Sequence, residues 1–248
     1  MITLTLVGIG TGNPEHLTLQ AIRALNRADL ILIPQKGPDK ADLADLRRSI
    51  CAEVVTNPAT VIAGFDLPRR DAANPDYRRG VDDWHDAIAA AWAHEIASHL
   101  GTNGSVALLV WGDPSLYDST LRIAARLRPA PAITVIPGIT SMQALTAAHA
   151  IPINEIGAPF TVTTGRRLRD EGFPPSVDTA LVMLDGECSF QHLPPEGMTI
   201  WWGAYVGMAE EITDSGPLAS ATPRILAARA EARARHGWIM DIYLLRRT

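Results

Sequence analysis

Short, mostly apolar runs, several of them continuous, such as Leu30–Ile33 and Val106–Trp111, constrain this chain most. In the first half they are Ile2–Val7, Leu30–Ile33, a shorter stretch near Val61–Phe65, Ser105–Trp111 and Ile133–Ile136. In the second half they are Phe160–Thr163, Thr179–Leu184, Thr199–Tyr205 and Trp238–Leu245. A strand with one face in water alternates apolar with polar residues, whereas one covered on both faces reads as a continuous apolar run. The covers are the helical stretches between the runs: one after Asn13-Pro14, then Asp39–Ile50, Pro75–Leu100, Leu116–Leu127 and Pro223–Arg235. Asn13 has the chemistry of an N-cap and Pro14 that of a first helical residue, and Gly101 suits the end of the third helix. Strands separated by helices define an α/β protein. The second half has fewer helices between its strands, which predicts a separate, more antiparallel sheet there. The turn at Pro137-Gly138 is the expected boundary, giving α/β domains over 1–137 and 138–248 with a cleft between them.

Composition narrows the classes further. With 47% apolar and 20% charged residues, the 248-residue chain has the makeup of a folded, soluble protein and not of a disordered one. No apolar run, Val106–Trp111 included, approaches the roughly 18 residues of a membrane span. No positive leader precedes the first run, so no signal peptide is expected. Cys51 and Cys188 form no CxxC pair, and a cytosolic setting with buried thiols is expected. A net charge of −5 argues against broad electrostatic capture of nucleic acid.

Several motifs invite chemistry and fail on geometry. Gly8-Ile9-Gly10-Thr11-Gly12 lacks the third glycine of a dinucleotide fingerprint, since Asn13 stands in its place. The acid that should end the second strand is also missing, because Asp29 lies at that strand's start. Glycines that let a ligand approach backbone amides are the better reading of this loop. His94, Glu95 and His99 resemble a zinc-protease helix, but the histidines are five apart and so about 140° apart around the axis. His85 fits no better, and no metal site is expected. Trp84 and Trp92 have the spacing of a packing stripe.

Gly112-Asp113-Pro114 is different, because it follows a buried strand and so lies where α/β sheets bind ligands. Pro137-Gly138-Ile139-Thr140-Ser141 ends the next strand in a similar small-residue turn. Two such loops on neighbouring strands could share one small ligand.

The ordered set LVGIGTGNPEHLTLQA, VALLVWGDPSLY and VIPGITSMQALTAAHAIPIN resembles the tetrapyrrole methyltransferases over essentially the whole chain. The resemblance implies two α/β domains, S-adenosylmethionine as methyl donor and a tetrapyrrole as substrate. It implies donor contacts from Gly112, Asp113, Pro114, Leu116, Tyr117, Thr140 and Ser141. Leu184, where relatives carry a Met-Gly pair, and Ala204, in a loosely matching strand, are further implied donor contacts. The amino-terminal glycine loop, with Gly10 and Gly12, is implied to face the tetrapyrrole. Within the family, the stretch from Pro34 to Leu43 resembles the branch that methylates C-1 of precorrin-5 and releases acetate. Homodimers are frequent in the family.

Methyl transfer from a sulfonium needs alignment and exclusion of water more than a catalytic triad. Lys36, Lys40 and Arg47 are candidates to hold the substrate's carboxylates, with Arg166, Arg167 and Arg169 as a second basic cluster. Loss of acetate also needs a water and a base, for which Asp39, Asp113 and Asp185 are candidates by position. Three rivals are distinguishable. Another precorrin methylase would transfer methyl without releasing acetate, a nicotinamide oxidoreductase would bind NAD, and a tetrapyrrole carrier would bind without reacting.

Overall fold

Residues 1–35, 42–71 and 76–247 are described by the computed structural model, and they form two compact units, Met1–Thr140 and Ser141–Thr248. In the first unit the apolar runs become five strands: β1 (Ile2–Gly8), β2 (Leu30–Gln35), β3 (Val61–Asp66), β4 (Gly104–Val110) and β5 (Ala132–Ile136). All pair in parallel, in the order β3-β2-β4-β1-β5. Helices α1 (Leu19–Arg27), α2 (Asp42–Val54), α3 (Tyr77–Leu100) and α4 (Thr120–Ala124) cover the sheet.

The two-residue period of a strand sends alternate side chains to opposite faces. Leu4, Leu6, Leu30, Leu32, Val106 and Leu108 therefore join Ile88 and Trp92 of α3 and Ile123 of α4 in one core. Val7, Ile31, Ile33, Ala107 and Leu109 join Ala21 and Leu25 of α1 and Ile50 and Cys51 of α2 in the other. A continuous apolar run is what two such covered faces require.

The second unit adds β6 (Phe160–Thr164), β7 (Thr179–Met183), β8 (Met198–Ala204), β9 (Ile212–Pro217) and β10 (Asp241–Arg247) in the order β6-β7-β10-β8-β9. Only β6 and β7 pair in parallel; β10 runs antiparallel to β7 and β8, and β9 antiparallel to β8. The expected antiparallel character of the second half is thus present. Helices α6 (Gly165–Glu171) and α7 (Leu218–His236) contribute Leu168, Leu218 and Ile225 to the core on one face. Helix α5 (Ser141–Ala148) contributes Ala144 and Leu145 to the core on the other.

Three helix expectations need correction. Asn13-Pro14 starts only a 3-10 turn, Pro14–His16, and Thr18 is the N-cap of α1, its Oγ1 accepting from the Ala21 amide at 3.0 Å. The helix expected over Leu116–Leu127 shrinks to α4, because Asp118 accepts from the Thr120 amide at 2.6 Å and starts it late. Helix α7 begins at Leu218, five residues before Pro223, and the Thr222 hydroxyl donates to the Leu218 carbonyl at 2.7 Å. No helix among the described residues is long and apolar enough to cross a membrane.

Candidate functional site

Strands β1 and β4 are neighbours, yet the helices that follow them, α1 and α4, cover opposite faces of the sheet. Loops that leave adjacent strands toward opposite faces open a crevice at the carboxyl end of the sheet, the usual ligand position in such folds. Two of the expected loops meet there. The Gly112 amide donates to the Gly10 carbonyl at 2.7 Å, and the Gly10 amide to the Gly112 carbonyl at 3.4 Å. The glycine loop assigned to the tetrapyrrole and the loop assigned to the donor are therefore joined backbone to backbone.

The third loop closes on them. A Cβ at Gly138 would lie 2.1 Å from the Gly112 carbonyl oxygen and 2.8 Å from Gly8 Cα, and one at Gly8 would lie 2.6 Å from the Gly138 amide nitrogen. Only glycine permits three strand ends to pack this closely. Gly112 has φ +60°, a left-handed conformation that glycine adopts at little cost.

Asp113 fastens these loops. One carboxylate oxygen accepts from the Ser115 amide at 2.8 Å and the Ser115 hydroxyl at 2.5 Å. The other accepts from the Gly138 amide at 2.9 Å. Burial, the largest single influence, pushes its pKa up, but the donors on Ser115 and Gly138 outweigh it and the net displacement is downward. The oxygens of Asp113, a candidate base by position, hold two loops together here, and its affinity for a proton is lowered.

Around this clamp, Pro114 is buried, Leu116 partly so, and Tyr117 is exposed on a strained backbone with φ +49°. Thr140 is buried, its Cα 3.6 Å from where a Gly112 Cβ would stand. Gly12 is buried, and the neighbouring Thr11 hydroxyl lies 3.1 Å from His16 Nδ1. Asp29 sits at the opposite end of the sheet, where its carboxylate accepts from the Ser105 amide and hydroxyl, each at 2.7 Å.

Arg47 does not stand free on a surface. It is partly buried, its Nε donates to the Leu109 carbonyl at 3.3 Å and its Nη1 to the Leu43 carbonyl at 3.2 Å. Its guanidinium lies 4.8 Å over the Trp111 ring. Burial, offset in part by Asp118, pushes its pKa down to about 10. Lys36, Asp39 and Lys40 lie outside the described residues.

In the second unit, β7 and β8 both run antiparallel to β10, so their carboxyl ends share one edge of the sheet. Leu184 directly follows β7 and Ala204 ends β8 opposite Asp241, so the two lie at that edge on either side of β10. Leu184 is 67% exposed with φ +55°, and Tyr205, next after Ala204, has φ +52°. Left-handed backbone at non-glycine residues costs about 1–3 kcal/mol each, and such strain collects at functional edges. Ser141 opens α5 and is partly buried.

Asp185, the other candidate base among the described residues, is held by several donors. It is buried and accepts from the Ser189 amide at 2.6 Å, the Ser189 hydroxyl at 2.9 Å, the Glu187 amide at 3.2 Å and the Tyr243 hydroxyl at 2.6 Å. A methyl group at Gly165 would strike it at 2.2 Å. Its carboxylate therefore shapes the turn behind Leu184. The basic cluster on α6 is already neutralised in part, with Arg167 paired to Glu171 and Arg169 to Asp170 and Glu187. His99 lies 3.6 Å from Glu95 on α3, Trp92 packs edge-on against Phe65, and Trp84 donates to the Pro68 carbonyl. Cys51 and Cys188 are buried free thiols.

The first unit is thus a parallel sheet with tightly packed glycine loops at its carboxyl end, and the second a mixed sheet with left-handed non-glycine residues just after β7 and β8. The family described as Tetrapyrrole (Corrin/Porphyrin) Methylases matches residues 3–222. The chain belongs to this family and is a methyltransferase. It is 51% identical to a precorrin-6A synthase (deacetylating) of a Sinorhizobium species, over 100% of this chain and 96% of that protein. A crystal structure of a cobalamin synthesis related protein from Corynebacterium diphtheriae is similar over 100% of this chain and 99% of that one, at 39% identity and a TM-score of 0.84. A uroporphyrin-III C-methyltransferase from Thermus thermophilus, complexed with S-adenosylhomocysteine, shares the fold at 19% identity and a TM-score of 0.56, over 98% of this chain and 96% of that one.

Proposed function

We propose that this enzyme methylates C-1 of precorrin-5 and releases the acetyl unit as acetate, giving precorrin-6A, with S-adenosylmethionine as donor. The observation that carries this reading is the full-length likeness to a deacetylating precorrin-6A synthase, at an identity well above that shared with other precorrin methylases. The residues fit such a donor. Gly112, held left-handed, brings bare backbone to the crevice, and exposed Tyr117 beside it offers an apolar face of the kind an adenine stacks on.

When bound, the donor supplies an already activated methyl group, so the protein's work is alignment and exclusion of water. Pro114, Leu116, Tyr117 and Thr140 form the donor wall of the first unit in this reading. Asp113 acts as the clamp that fixes Gly112 and Gly138. Ser141, Leu184 and Ala204 are proposed as further donor contacts of the second unit. Gly10 and Gly12 line the tetrapyrrole's approach, and Lys36, Lys40 and Arg47 meet its carboxylates. Asp39, Asp113 and Asp185 remain the candidates for the base that acetate release needs.

Incubation of the purified chain with precorrin-5 and donor tests the reading by mass. The expected tetrapyrrole has gained one methyl group and lost one acetyl group. A product that keeps its acetyl group identifies a sibling methylase, and an unchanged tetrapyrrole refutes the assignment.

A further inference from the structure

The first unit contains a cavity of about 200 Å³ that the donor crevice does not use. It is a half-open pocket, not a sealed void, and is far larger than the gaps left between packed side chains. Its wall is chiefly apolar, including Leu32, Phe65 and Trp92, and its polar side is made by Arg47, Asp118 and Thr120.

Arg47 is what gives this space a chemistry. A guanidinium carries five N–H donors, and two of its nitrogens donate here, to the Leu109 and Leu43 carbonyls. Among the described residues it forms no ion pair, although its pKa is already lowered by burial. Asp118 lies on the same wall, but one of its oxygens is occupied by the Thr120 amide. Asp118 acts on Arg47 at a distance and offsets part of the burial cost without forming an ion pair, and an anion placed directly on the guanidinium would offset more of it. A planar carboxylate on a short hydrocarbon tail matches both the fork of the guanidinium and the wall.

We infer that this cavity binds a short-chain monocarboxylate, with its carboxylate on Arg47 and its tail against Leu32, Phe65 and Trp92. The inference rests on the proposed reaction only for the source of the ligand. That reaction supplies two: the acetate it releases, and the carboxylate side arms of the tetrapyrrole.

The test uses the whole chain labelled with ¹⁵N at the tryptophan indoles, whose six N–H signals are assigned by single Trp→Phe changes. Propionate should shift the Trp92 and Trp111 signals saturably. Propionamide, which has the same shape without the charge, and chloride at matched ionic strength should not. Arg47→Met should weaken propionate binding about tenfold or more, as loss of a charge-assisted hydrogen bond requires. Should that variant fail to fold, Arg47→Lys, which keeps the charge and loses the fork, should bind more weakly than wild type. Competition by acetate identifies the released acid as the ligand; competition only by a corrin bearing propionate arms identifies the substrate arm. Equal shifts with propionamide, no saturable shift with propionate, or unaltered binding by the Arg47 variants would overturn the inference. Because no donor or precorrin is present, this result is independent of whether precorrin-5 is the substrate.

Discussion

Gly138→Ala probes the packing on which the donor crevice depends. The added methyl would meet the Gly112 carbonyl oxygen at 2.1 Å and the Gly8 C and Cα atoms at 2.8 Å. All three are backbone, so relief requires strand ends to separate by on the order of 1 Å, and no side chain can rotate away. Overpacking of this kind costs about 1–3 kcal/mol, and backbone contacts place it at the upper end. Movement of the Gly138 amide also weakens its bond to Asp113, and hydrogen bonds to charged groups contribute about 1.5–3 kcal/mol. Against this stands a gain of about 0.4–1 kcal/mol from a stiffer unfolded chain. The net is a loss of about 3 kcal/mol, or a melting point lower by about 6–12 °C for a chain of this size. Gly186→Ala is the control, since nothing lies within 4 Å of its added methyl. Thermal unfolding and S-adenosylhomocysteine titration should show Gly138→Ala less stable and weaker in binding, with Gly186→Ala unchanged or slightly stabilised. A Gly138→Ala melting point within about a degree of wild type would refute the close-packing argument.

Other expectations follow from the same geometry. Asp113→Asn turns an amide NH₂ toward one of two donor groups and should destabilise by about 1–3 kcal/mol. Because the folded pKa of Asp113 is lowered, this difference should hold above about pH 4 and shrink as pH falls through the folded value, which paired urea titrations would show. Arg229→Met leaves Asp241 buried without its 2.9 Å partner and should cost about 3–5 kcal/mol by chemical denaturation, with little dependence on salt. Leu184→Gly removes left-handed strain of about 1–2 kcal/mol and adds about 0.5–1 kcal/mol of chain entropy. It should be slightly more stable than wild type yet bind S-adenosylhomocysteine less tightly, as calorimetry would measure.

Much of the first sheet was legible because covered parallel strands have a direct signature. Leu30–Ile33 and Val106–Trp111 read as buried from both sides, and their alternate residues do enter two cores. The edge strand β9 was not legible: ITDSGP is polar, half-exposed and closed by proline. Helix α6 was hidden because GRRLRDE reads as a charge cluster, although Thr164 before it is an N-cap whose side chain accepts from Arg167. Asp113 was marked by its loop, but its clamp on Gly138 spans 25 residues and needs the sheet to bring the loops together. Asp185, an acid after an apolar strand, resembles a catalytic group until its partner Tyr243, 58 residues away, is in place. Sequence spacing marks where loops emerge from a sheet; which oxygen is already occupied depends on contacts between distant segments.

The most direct test of the functional account follows methyl transfer and acetate release in one reaction. Precorrin-5 is given with methyl-labelled S-adenosylmethionine, and label in the tetrapyrrole is counted against free acetate over time. The account predicts one label incorporated for each acetate released, along the same time course. Label without acetate, or acetate without label, would contradict it.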